Sequence, residues 1–144
     1  MIRIAALHLV DPPRGRRRPN LNREWIELTN QGLSSIDIYG YVFASSLGEK
    51  AVLEPSGRSS IIVPPAKSVV VFTGRPDLAQ DPPGCYVEIE SDRFFLCRTR
   101  PIWAEERDAA FLYPSMSVYL ADTTAYLDAF YFTRHCQAKQ IMGV

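Results

Sequence analysis

Ile36-Asp37-Ile38-Tyr39-Gly40-Tyr41-Val42-Phe43-Ala44 decides the fold class. Ile36, Ile38 and Val42 alternate with Asp37, Tyr39 and Tyr41, the two-residue period of a strand that buries one face and wets the other. The same period recurs later, where Val118 and Leu120 alternate with Ser117, Tyr119 and Ala121. Working outward, ten short runs rich in β-branched and aromatic residues are expected as strands: 1–10, 23–30, 36–44, 58–63, 68–73, 85–90, 93–98, 109–113, 117–121 and 125–132. Proline punctuates them, with 11 residues that include the pairs Pro12-Pro13, Pro64-Pro65 and Pro82-Pro83, each a break in regular structure. Helix signals are short. Pro76 to Gln80 offers one turn and Trp103 to Asp108 a second, and neither sustains the i, i+3, i+4 apolar pattern. The expectation is an all-β, antiparallel two-sheet sandwich.

A chain of 144 residues is one ordinary domain, and 47% apolar with 22% charged residues is the balance of a packed globule rather than a disordered chain or coiled coil. Sixteen basic and sixteen acidic residues cancel, so no general pull toward nucleic acid or anionic lipid follows. The N-terminal run is interrupted by His8 and lacks a small-residue cleavage site, and no apolar run approaches the roughly 20 residues of a membrane span. Cys85, Cys97 and Cys136 are an odd set without a C-x-x-C, which argues against a disulfide framework or a structural zinc site and for a reducing cytoplasm. Pairing of Cys85 with Cys97 across a hairpin would reverse that expectation.

Asn22-Arg23-Glu24-Trp25-Ile26-Glu27-Leu28-Thr29-Asn30, followed by Ile36-Asp37-Ile38-Tyr39-Gly40-Tyr41-Val42-Phe43, resembles the lamin tail domain family. Its further likenesses run in order: Val63-Pro64-Pro65-Ala66 with Val69 to Gly74, where Ala66 stands in a place usually held by Gly, then Ser117 to Asp122 and Tyr126 to Tyr131, which resemble the closing hairpin. The resemblance covers residues 1–74 and 111–132. It implies an immunoglobulin-like β-sandwich over 1–133 with a long insertion at about 75–110 and a C-terminal tail at 134–144. It also implies a non-catalytic module that binds protein or nucleic acid, of a kind found on nuclear lamins and in bacterial proteins.

Candidate chemistry is sparse. Glu24 and Glu27 lie three apart on a strand and project to opposite faces, so one is expected in solvent and the other on an Arg or a backbone amide. Asp122 and Asp128 bracket a turn, where they are expected to serve backbone hydrogen bonds rather than calcium. Only His8 and His135 are available to activate a nucleophile, and no phosphate-cradling glycine loop exists, so no enzyme, catalytic residue, cofactor or metal is expected. Arg14, Arg16, Arg17 and Arg18 form the one basic cluster, a candidate site for an acidic partner or phosphates, with no aromatic neighbours in sequence to stack bases. Phe130-Tyr131-Phe132 must place rings on both faces of the last strand, and outward rings ask for a cover. Trp103 is either a core anchor for its loop or an exposed contact. Together with Trp103, Phe130 and Phe132, the tail residues Ile141 and Met142 are the expected protein interface. The functional expectation is a structural or interaction module for a protein partner or copies of itself, with nucleic-acid binding through Arg14–Arg18 as the alternative.

Overall fold

The computed structural model describes residues 1–9, 21–75 and 92–134. It is an all-β chain. Its strands are β1 (Ile2–His8), β2 (Trp25–Asn30), β3 (Ile36–Asp37), β4 (Val42–Ala44), β5 (Lys50–Val52), β6 (Ile62–Val63), β7 (Ser68–Phe72), β8 (Arg93–Phe95), β9 (Arg107–Tyr113) and β10 (Asp128–Thr133). One short α-helix, α1 (Met116–Ala121), and one 3-10 turn, Leu21–Arg23, stand among the described residues.

The strands form a first sheet in the order β1-β2-β7-β8, a second in the order β10-β9-β4-β5, and a two-stranded ribbon of β3 and β6. Every pair is antiparallel except β7 with β8, which departs from the fully antiparallel expectation. The two four-stranded sheets share one apolar interior. Ile2, Ile4, Leu7, Ile26, Leu28, Val69, Val71 and Phe94 come from the first, and Phe43, Ala110, Leu112 and Phe132 from the second. Alternation explains which residues take part. In β2 the side chains of Ile26 and Leu28 are buried, while those of Trp25, Glu27 and Thr29 are only half-buried.

Four elements differ from expectation, the first being β5 (Lys50–Val52), a strand that none of the expected runs covers. The run 36–44 is two strands, because Gly40 adopts φ +84° and turns the chain between them. Ile38 N–H then donates to the Ile61 carbonyl, and Gly40 N–H to that of Leu53. The run 117–121 is helical rather than extended: Ser115 caps it, its Oγ accepting from Val118 N–H at 3.2 Å. Met116 and Tyr119, one turn apart, pack on the sheet, which the two-residue alternation of Val118 and Leu120 concealed. Residues 103–106 form no helix, and the chain enters β9 at Arg107. The helical turn expected at 76–80 and the strand expected at 85–90 lie outside the described residues.

Strands β8 and β9 both begin within the span 75–110, so that span supplies sheet as well as loop. Cys97 is disulfide-bonded; the other cysteines, Cys85 and Cys136, lie outside the described residues. No helix of the described residues is long and apolar enough to cross a membrane.

Candidate interaction surface

Register fixes the outward face of the second sheet. Ala129 pairs with Phe111 and Tyr131 with Ala109 across β10 and β9, while Phe111 and Tyr113 pair with Ala44 and Val42 of β4. Val42, Ala44 and Tyr113 form an apolar cluster of their own, apart from the main core, with Phe111, Val52, Met116 and Tyr119 packed against it. A two-sheet domain ordinarily presents a polar outer face. Here the outward residues of β9, β10 and β4 named above are alanine, valine or aromatic. Helix α1 covers one end, and the other is open, with Tyr131 69% exposed, Leu127 40% and Tyr126 39%.

The rings interlock at their edges. Phe111 meets Tyr126 at 5.1 Å and Tyr131 at 6.1 Å between centroids; Tyr113 meets Tyr119 at 4.9 Å and Tyr126 at 6.4 Å. Tyr113 Oη donates to the Thr123 carbonyl at 2.7 Å, and its burial, followed by the nearby Tyr119, Tyr126 and Asp122, holds its phenol above the ordinary range. Hydrogen bonding with Tyr126 raises Tyr131 similarly. Lys50 Nζ stands 5.6 Å from the Tyr119 ring centre. Two clefts flank Phe111. One of about 270 Å³ is lined by Ser45, Ser46, Tyr113, Tyr119 and Thr123, and one of about 400 Å³ by Ser46, Arg107, Asp108, Tyr131 and Thr133.

The outward surface is therefore aromatic, as expected, but through other residues. Phe132 is 6% exposed and belongs to the main core, and Phe130 packs against that core, because both share the inward face of β10. Trp103 is wholly buried, its Nε1–H donating to the Ala44 carbonyl at 3.0 Å; it is the loop's core anchor and not a surface contact. These three residues are corrected from interface to interior. Tyr131 is the outward ring of the aromatic triplet. Phe111, Tyr113, Tyr119 and Tyr126 were missed, although alternation along Ala109-Ala110-Phe111-Leu112-Tyr113 already separates Phe111 and Tyr113 from Ala110 and Leu112. Arg14, Arg16, Arg17, Arg18, His135, Ile141 and Met142 lie outside the described residues.

The carboxylates act as fasteners. Buried Glu24 accepts from Thr73 Oγ1 at 2.7 Å, Ile102 N–H at 2.8 Å and Trp103 N–H at 3.2 Å, as the amide-held alternative expects. Burial nonetheless raises its pKa, against the opposing pull of these bonds and of Arg134. Asp128 Oδ2 accepts from Ile4 N–H at 2.8 Å and so ties β10 to the first sheet. Asp122 Oδ1 accepts from Thr124 N–H and Oγ1, a turn role, and these bonds lower its pKa. No group of three potential metal ligands is found among the described residues.

The first sheet carries its own ring row across all four strands. His8 pairs with Trp25, Trp25 with Phe72 and Phe72 with Phe95. His8 stacks on Trp25 at 5.3 Å, Phe72 on Phe95 at 5.3 Å, and Arg93 lies over Phe72 at the same distance. Comparison of the chain with protein-family models, curated proteins and solved structures finds no match.

Proposed function

We propose that this chain is a non-catalytic β-sandwich interaction module of the immunoglobulin-like, lamin-tail type, which binds a protein partner or further copies of itself through the outer face of β9 and β10. One observation carries the reading. The apolar outward set ends in Tyr126, Leu127 and Tyr131 without a cover among the described residues, and an exposed contiguous apolar face is a mark of a contact surface. The lamin-tail reading draws support from the Glu24 to Asn30 stretch, which supplies β2 and two buried polar fasteners, Glu24 and Asn30. The disulfide at Cys97 weighs against the reducing cytoplasm and for an oxidising compartment.

Light scattering across concentration, at low and high salt, tests the reading together with the Leu127→Lys/Tyr131→Lys variant. Salt-resistant association in the wild type that the variant loses supports self-assembly. If the wild type is monomeric, the two proteins are compared in capture from the native source, and a partner held equally by both overturns the reading. The second reading is polyanion binding through Arg14–Arg18, four guanidiniums within five positions of the sequence. Binding of that kind weakens steeply with salt and is lost when the four arginines are replaced by alanine.

A further inference from the structure

We infer that the outer edge of β10 is a self-association surface, on which a second copy of this chain lays its own β10 antiparallel and joins two four-stranded sheets into one. The inference rests on the reading of the adjoining β9–β10 face as the contact surface and names its occupant. Arg134 N–H donates to the Glu106 carbonyl, and the register that continues from that pair makes the even-numbered residues of β10 the ones that exchange hydrogen bonds with β9. The N–H and C=O groups of Ala129, Tyr131 and Thr133 therefore point off the sheet. Ala129 N–H turns to the neighbouring Asp128 Oδ1 at 2.9 Å, and the other groups meet no partner among the described residues.

The other sheet edges are guarded. β1 carries a bulge between Ile4 and Ala6, and its Ile4 N–H is held by Asp128. β5 and β8 have three residues each, the first with Lys50, whose carbonyl accepts from Arg98, and the second with Arg93. β10 has six residues in unbroken register and no lysine, arginine or proline, so it lacks the devices that keep exposed edges apart. Register selects a second copy as the occupant. Centred on Tyr131, the stretch 129–133 is self-complementary: Tyr131 N–H and carbonyl meet their counterparts, and each Thr133 N–H meets the other copy's Ala129 carbonyl. Side chains and charge agree. Ala129 falls opposite Thr133, and the two Tyr131 rings, 69% exposed in the single chain, lie side by side and cover one another. The stretch 129–133 is uncharged, and the chain's 16 basic and 16 acidic residues cancel, so identical copies meet without net repulsion.

The test is sedimentation of the whole chain across concentration, with amide hydrogen exchange read at the dilute and concentrated ends. The expected result is a monomer–dimer equilibrium in which the Tyr131 and Thr133 amides exchange roughly tenfold or more slowly in the dimer than in the monomer. Thr133→Pro deletes an N–H that β9 does not use, and it is expected to lose both the dimer and the Tyr131 protection while the sheet stays folded by circular dichroism; Thr133→Ala keeps the N–H and retains both. A monomer at every concentration, a dimer whose Tyr131 and Thr133 amides exchange as fast as the monomer's, or a dimer that survives in folded Thr133→Pro overturns the inference. Should the proline variant fail to fold, exchange in the wild type decides alone. Leu127→Lys/Tyr131→Lys sets two lysines opposite each other at the centre of the pairing and is expected to abolish it. If that variant loses association or capture while the wild-type amides stay unprotected, the contact surface stands and the edge pairing falls. If it changes neither, both fall.

Discussion

Glu24 illustrates how a single polar residue organises this fold. It sits with no exposed surface between β2 and the loop ahead of β9, and its two oxygens take three donors from Thr73, Ile102 and Trp103. Gln keeps the shape but turns an N–H toward a donor, so Glu24→Gln is expected to cost about 1–3 kcal/mol of unfolding free energy. The pH dependence has a definite sign. A carboxyl whose folded pKa is raised binds its proton more tightly in the native state, so its stabilising contribution is full at low pH and is lost as pH rises from the ordinary carboxylate value of 4.5 through the raised one. Wild-type stability, measured by denaturant unfolding across that window, is expected to fall relative to Glu24→Gln; a gap that widens in favour of wild type contradicts the assignment. Ala66 gives a second test. It holds φ +64° in the Pro64–Lys67 turn, closed by Lys67 N–H donating to the Pro64 carbonyl at 3.2 Å. Alanine is strained there where glycine is not, so Ala66→Gly is expected to raise stability by about 0.5–1 kcal/mol, read by the same unfolding measurement.

Among the elements, the strands were largely legible, because alternation and proline breaks are local signals; of the described runs that carry them only 117–121 fails to meet a sheet, while β5 at Lys50–Val52 lay in no run. Residues 117–121 were not, since six residues carry too few turns for helical periodicity, and Val118 and Leu120 satisfy a strand pattern equally well. The deciding features are the Ser115 cap and the packing of Met116 and Tyr119 on β4 and β9, and the second of these is tertiary. Ser115→Ala is therefore expected to cost about 1 kcal/mol and to speed amide exchange across 116–121 selectively; unchanged exchange there contradicts the capping role. The parallel pairing of β8 on β7 was beyond reach for a similar reason, being set by partners distant in sequence. The aromatic surface was legible as a surplus of rings but not as named residues. The triplet 130–132 shows why: alternation demands that Tyr131 oppose its neighbours, yet only the pairing of β10 with β9 settles which side is the interior.

At the scale of the whole molecule, two sheets enclose one core, and Asp128 joins their edges while Trp103 and Glu24 draw the preceding loop inward. The Cys97 disulfide adds a covalent tie, and its reduction is expected to lower unfolding free energy by about 2–5 kcal/mol; thiol counting before and after reduction checks that the bond exists, and free thiols alone in the oxidised protein contradict it. Taken together, these ties leave the open end of the β9–β10 outer face unnecessary for folding, which is the central claim behind its assignment as a contact surface. The most direct measurement is denaturant unfolding of Leu127→Lys/Tyr131→Lys beside the wild type. The account predicts a difference within about 1 kcal/mol, as for exposed positions in general. A loss of more than about 3 kcal/mol, the size expected for a deleted core contact, would contradict it and return these residues to the chain's own interior.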